Sequence, residues 1–216
     1  MSVSSAELKG TYLGKLLDIH SDYTPDDFWA LVCCGSDLND PYAGWAGYVA
    51  IPVFSGEPEV ELYFGEFPDS LAEYENVPDF YIRRSVSKLQ AYDELRSCVS
   101  TLSQRPVFMS ANAATWASKI LQEADRHAAT VGWEVSHLCI RDIFSVVSSD
   151  ALLAKSGSSI GNAFALATPL PKRFGLNAIA DRLDITAPFS STKALYRARL
   201  LKQVAENLLM RPYPLQ

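Results

Sequence analysis

Apolar and polar residues alternate along this chain with two different periods, and the changes of period mark its elements. The run SSAELKGTYLGKLLDI (4–19) has helical spacing, with Ser4 or Ser5 placed as cap, so one amphipathic helix over 5–19 is predicted. DFWALVCCGSD (27–37) is a nearly continuous apolar stretch that suits a buried central strand. AGWAGYVAIPVF (43–54) and EVELYFGEF (59–67) are rich in β-branched and aromatic residues and read as two further strands in a meander. Pro52 lies within the first of these and fits best at an edge or a bulge.

The second half changes rhythm. SVSKLQAYDELRSCVSTLSQ (85–104) places Val86, Leu89, Leu95, Val99 and Leu102 on one helical face. A strand, PVFMS (106–110), is followed by the helical run 113–132, and EVSHLCI (134–140) predicts another short strand. Helices are predicted over 141–155, over GLNAIADRLDI (175–185) and over STKALYRARLLKQVAENLLM (191–210), the last ended by Pro212. SGSSIGNAFALATPLP (156–171) reads as a surface loop. Three consecutive strands followed by alternating helices and strands imply an α/β fold. Its mixed sheet would be antiparallel first, parallel later, and flanked by helices. The expected organisation is an N-terminal helical extension over 1–27 and one α/β domain over 28–216.

Composition narrows the classes. At 48% hydrophobic and 20% charged, the 216 residues have the make-up of a soluble globular protein. A net charge of −6 argues against a nucleic-acid coat protein, though not against a local basic groove. No apolar run approaches a membrane span, and MSVSSAELKG lacks the basic start and apolar block of a signal peptide. A cytoplasmic protein that does not enter the membrane is expected. Cys33, Cys34, Cys98 and Cys139 match no zinc spacing and read as buried free thiols.

Several phrases, in order, resemble the DEDD superfamily of 3′–5′ exonucleases, nearest the proofreading epsilon subunits, over roughly residues 28–210. The family's first strand carries Asp-x-Glu before two Thr and a Gly; VCCGSDLNDP lies in that place. Its second motif, His-Asn-Ala-x-Phe-Asp at a strand-to-helix junction, is similar to ANAATW. CIRDIF and GLNAIADRLDI resemble later phrases, and TKALYRA matches the frame of His-x-Ala-x-x-Asp-Ala. The resemblance implies a ribonuclease-H-like fold, a site at these junctions, and a tendency to dimerise.

The substitutions fall on the functional positions. Val32 and Cys34 stand where the resemblance places the first two carboxylates, Trp116 at the third and Arg197 at the fourth. Ala111 and Thr192 stand where histidines are expected. The family's two divalent ions need oxygen ligands and negative charge, which valine, thiol, indole and guanidinium do not offer. The resemblance with its ligands replaced therefore implies no metal, no cofactor and no catalysis.

Asp37, Asp40, Asp142, Asp181 and Asp184 are the acids that could rebuild a site, and each also reads as a turn or helix-surface charge. His20 reads as a surface turn residue, and His127 and His137 as surface or satisfied core histidines. A Cys34–His137 nucleophilic pair is conceivable without any supporting signature.

Arg197 is expected to point into the former metal cleft, with Lys193 one turn before it; Lys172 and Arg173 extend the basic inventory. Three readings follow. The first is an inactive exonuclease-like domain that binds another protein, using the N-terminal helix and the 156–171 loop. The second binds single-stranded DNA or RNA without cleavage, through Arg197, Lys193 and Trp116. The third is a nuclease with relocated carboxylates. The first is preferred.

Overall fold

The computed structural model describes residues 4–35, 45–56, 58–66, 69–84, 88–111, 135–154, 160–164 and 174–214. The N-terminal run is two helices rather than one, α1 (Ser5–Leu8) and α2 (Tyr12–Ile19). Gly10 separates them with φ +78°, a left-handed conformation that glycine adopts without steric cost. Ser4 caps α1 in a capping box with Glu7, and Thr11 restarts the helix by accepting from Gly14 N–H.

Six strands follow: β1 (Phe28–Gly35), β2 (Trp45–Pro52), β3 (Val60–Gly65), β4 (Ile82–Arg83), β5 (Val107–Ser110) and β6 (Ser136–Cys139). They form one sheet in the order β4-β3-β2-β1-β5-β6. β1, β2 and β3 pair antiparallel, while β5 runs parallel to β1 and β6 to β5. This is the mixed sheet expected of a ribonuclease-H-like α/β fold, with β4 added in parallel beside β3. Pro52 closes β2 where the expectation needed an exception. Val53 N–H bonds back to Phe28 on the β1 side, so the donorless nitrogen of Pro52 faces β3, whose pairing has already ended at Ala50–Val60.

The helices are α3 (Asp69–Glu75), α4 (Lys88–Ser100), α5 (Ile140–Ser148), α6 (Leu176–Arg182) and α7 (Lys193–Leu209). α4, α5 and α6 are shorter than their sequence patterns suggested, and α3 and β4 were not anticipated. Among the described residues, no helix is long and apolar enough to cross a membrane. α3, α5 and α6 end alike. Asn76, Asp150 and Asp184 adopt φ of 56°, 50° and 55°, and the next residue returns a hydrogen bond to the last turn. Those bonds run from Val77 to Ala72, Ala151 to Val146 and Ile185 to Ala180. Short polar side chains tolerate this left-handed cap better than others.

Period-2 alternation divides the sheet between two faces. Trp29 and Leu31 of β1, Tyr48 of β2 and Phe64 of β3 pack with Ala91, Leu95 and Val99 of α4. Phe28 and Ala30 face the opposite layer, where α2, α5, α6 and the C-terminal half of α7 bury their apolar sides. The N-terminal helices belong to this core: Tyr12, Leu13 and Leu16 are fully buried in it. Tyr12 N–H donates to Arg211 O, and Tyr213 N–H to Gly10 O, clasping the two ends of the chain together. Two expectations are corrected here. In the 156–171 segment, Ile160, Ala163 and Phe164 are buried in the main core, because their apolar side chains outweigh the loop-like composition around them. His20 is buried at the C-cap of α2 rather than exposed in a turn, since its helix docks on the core.

Gly14 marks the tightest contact of the N-terminal docking. A Cβ there would stand 2.1 Å from Leu8 O, within the neighbouring turn. Gly14→Ala is expected to destabilise the fold by about 1–3 kcal/mol, read as a lower urea midpoint with an unchanged slope.

Candidate functional site

Where the resemblance places a metal centre, the fold brings together β1, β2, β3, α3 and the start of α7. Val32 and Cys34 project from β1 to this face, beside Val49 and Ile51 of β2, Tyr63 of β3 and Ala194, Leu195 and Ala198 of α7. Gly47 of β2 makes room for them: a Cβ there would meet Cys34 Sγ and the Tyr63 ring at 2.8 Å. Cys34 Sγ donates weakly to Gly47 O at 3.7 Å. Burial pushes its thiol up to about 12; the Glu75 charge adds to this and the Arg197 charge opposes it. Cys34 therefore stays a neutral thiol at physiological pH, neither a nucleophile nor a hard-metal ligand.

Thr192 is the N-cap of α7 and is 1% exposed. Its hydroxyl accepts from Leu195 N–H at 3.2 Å and donates to Glu61 Oε1 at 2.5 Å. The Tyr63 hydroxyl lies 2.8 Å from the same carboxylate oxygen and 3.1 Å from Thr192 Oγ1, and its one proton serves either acceptor. Burial raises the Tyr63 phenol above its ordinary range, so that proton is retained. Thr192, which the resemblance sets at a histidine position, is thus part of a closed hydrogen-bond network spanning β3 and the start of α7.

Arg197 does reach toward the cleft. Its guanidinium pairs with Glu75 Oε1 at 3.5 Å; Arg197 is 44% exposed and Glu75 only 7%. Two other cations of α7 are also engaged. Lys193 Nζ sits 3.3 Å from the centroid of the Tyr74 ring, and Arg199 makes two hydrogen bonds, of 2.8 and 2.7 Å, to Glu59. Lys193, Arg197 and Arg199 are therefore matched by two acids and an aromatic ring from α3 and the residue before β3.

The described residues do not fit a two-metal centre. Val32 carries no donor, Cys34 is a protonated thiol, and Arg197 is a cation that repels a metal ion. Among the described residues, no three His, Cys, Asp or Glu side chains are grouped to hold an ion. The relocated-carboxylate candidates are dispersed. Asp142 is exposed in the first turn of α5, where the helix dipole favours an acid, and Asp184 supplies the left-handed cap of α6. Asp181 is exposed on α6. Ala111 lies just past β5, half-buried against the main core. Trp116, Lys172, Arg173, Asp37, Asp40 and His127 lie outside the described residues.

The Cys34–His137 pair does not form. His137 is on β6, its ring beside Phe108, which belongs to the α4 face, whereas Cys34 faces α7. The four cysteines are free thiols, though each is only partly buried. Sequence reasoning missed Glu61, Tyr63 and Glu75. The first two were accessible, since residues two apart on β3 share a face; Glu75 belongs to the unanticipated α3.

Compared with protein-family models, with curated proteins and with solved structures, the chain matches none of them.

Thr192→Val keeps the shape of the side chain but removes both the cap and the Glu61 bond. It is expected to cost about 1–3 kcal/mol in chemical denaturation, with Thr192→Ser retaining most of the stability. Burial lowers His137 to about 4, below its ordinary 6.5, and its Nε2 has no hydrogen-bond partner among the described residues. Below pH 6.5 the unfolded chain takes up a proton that the folded chain refuses until about pH 4. Stability therefore falls through that window as pH drops. His137→Leu is expected to flatten this acid limb by up to about 1.4 kcal/mol per pH unit, measured by denaturant titration at several pH values.

Proposed function

We propose that this chain is a catalytically inactive exonuclease-like domain that acts as a protein-interaction or regulatory module. The observation that carries the reading is the filling of the cleft. Where catalysis by the family would require carboxylates around two ions, Thr192 and Tyr63, both buried, bond to the partly buried Glu61, and Arg197 pairs with Glu75. Both arrangements consume the polar groups that substrate or metal would need, and both tie α7 to β3 and α3. Such a site contributes to a rigid scaffold and offers little to a scissile phosphate. The scaffold's remaining use is its surface.

Binding of nucleic acid without cleavage is the weaker reading. Lys193, Arg197 and Arg199 are each engaged within the chain, which leaves little local positive charge to release counterions from a phosphate backbone.

The deciding experiment incubates the protein with end-labelled single-stranded DNA and RNA in magnesium or manganese. No shortening of either strand is expected, and calorimetric titration with manganese should give no saturable heat. Metal-dependent degradation that disappears in Asp37→Ala or Asp142→Ala would overturn the reading.

A further inference from the structure

We propose that the groove between α3 and the turn preceding β4 receives a basic peptide segment of a partner protein, its arginine or lysine side chains lying among Asp69, Glu73 and Asp79. The proposal rests on the protein-interaction reading and names the surface and the chemistry of the partner. The groove has an open volume of about 860 Å³. Among the described residues, three carboxylates line it and Arg84 is the one cation. Arg84 shows what the groove accepts: its Nη2 stands 3.4 Å from both Asp69 Oδ1 and Asp79 Oδ1. Both contacts are long and solvent-exposed, so this internal occupant is weakly held. Glu73 has no ionic partner among the described residues, and the groove keeps an excess of negative charge.

The two residues that follow Asp79 in the chain supply the other half of the recognition. Phe80 is 81% exposed and stacks obliquely on the exposed Tyr81 at 4.6 Å between centroids. Two large adjacent rings left in water are an anchor for the aliphatic stems and cationic heads of arginine or lysine. The same stretch of chain already binds one cation this way, since Lys193 caps the neighbouring Tyr74, itself 58% exposed. Glu59 and Glu75 nearby are paired with Arg199 and Arg197, so the groove's excess of negative charge is carried by its own Asp69, Glu73 and Asp79.

That sign selects among occupants. Nucleic acid would bring phosphates against three carboxylates. A second copy related by a two-fold axis would bring the same acidic surface against itself. A basic segment complements both the charge and the rings, and the net charge of −6 would steer it in.

The test measures fluorescence anisotropy of a labelled peptide of alternating arginine and alanine at low salt, with a glutamine–alanine peptide as control. The arginine peptide is expected to bind and the glutamine peptide not to bind. Asp69→Asn, Glu73→Gln and Asp79→Asn together should weaken binding about tenfold or more, and Phe80→Ala about threefold. Arg84→Gln, which removes the internal competitor, should tighten it about threefold. Asp18→Asn, Asp181→Asn and Glu206→Gln together remove the same charge elsewhere and should leave affinity within about twofold. Equal weakening by the two triple variants, no preference for the arginine peptide, or displacement of that peptide by oligothymidylate would overturn the proposal. Failure here with no nuclease activity would sink this groove alone. Metal-dependent degradation would instead sink the reading of the cleft.

Discussion

Strand β1 is hydrogen-bonded along both edges and covered on both faces, so each of its side chains is committed to one of two cores. Trp29 and Leu31 belong to the layer under α4, and Val32 and Cys34 to the layer under α7. This commitment fixes the register of β2 and β5, because a slip by one residue would exchange the layers. It also fixes where α7 lies. The first half of that helix covers Val32 and Cys34 with Ala194, Leu195 and Ala198, and its second half fills the main core with Leu201, Val204, Ala205 and Leu208. Small residues at the start allow close approach to the sheet, and larger ones follow where the layers separate.

The close approach explains the chemistry at the cleft. Bringing α7 down on β2 and β3 places a threonine hydroxyl, a phenol and a carboxylate within hydrogen-bond distance, shielded from water. Polar groups in such a place destabilise a fold unless they satisfy one another. Thr192, Tyr63 and Glu61 do so. Glu75 is the more exacting case, because a mostly buried carboxylate needs a counter-charge, and Arg197 supplies it from the solvent side. A divalent metal ion and an arginine side chain share only the sign of their charge, and the arginine is covalently part of the helix and arrives when the helix folds.

The antiparallel meander, the parallel strands after it and the last helix were legible because β1 to β3 are apolar runs rich in β-branched and aromatic residues and α7 keeps a helical stripe. The interruption at Gly10 was not, since a three-residue break hardly disturbs apolar periodicity over sixteen positions. α3 escaped notice because three of its seven residues are acids, one of them the buried Glu75, so its apolar pattern is faint. That Cys34 and Arg197 offer no ligand to a hard metal ion could be read from residue identity alone. Their neighbour Glu75 could not, because it belongs to α3, which closes through the left-handed turn at Asn76 and the docking of Val77. His20 and Phe164 were misjudged for one reason: local polarity describes neighbours in sequence, whereas burial depends on neighbours in space.

The clasp between Gly10–Tyr12 and Arg211–Tyr213 has a bearing on how the chain folds. It joins segments from opposite ends of the sequence, and Tyr12 further bonds Ala151 O while its ring meets Tyr213 edge-on at 5.1 Å. Contacts of such long range form late, after the intervening sheet has assembled. During synthesis, α2 emerges well before α7, so its buried face has no complete seat until α7 follows. Tyr12, Leu13 and Leu16 stay in water, open to chaperones, for the time that separates the two helices.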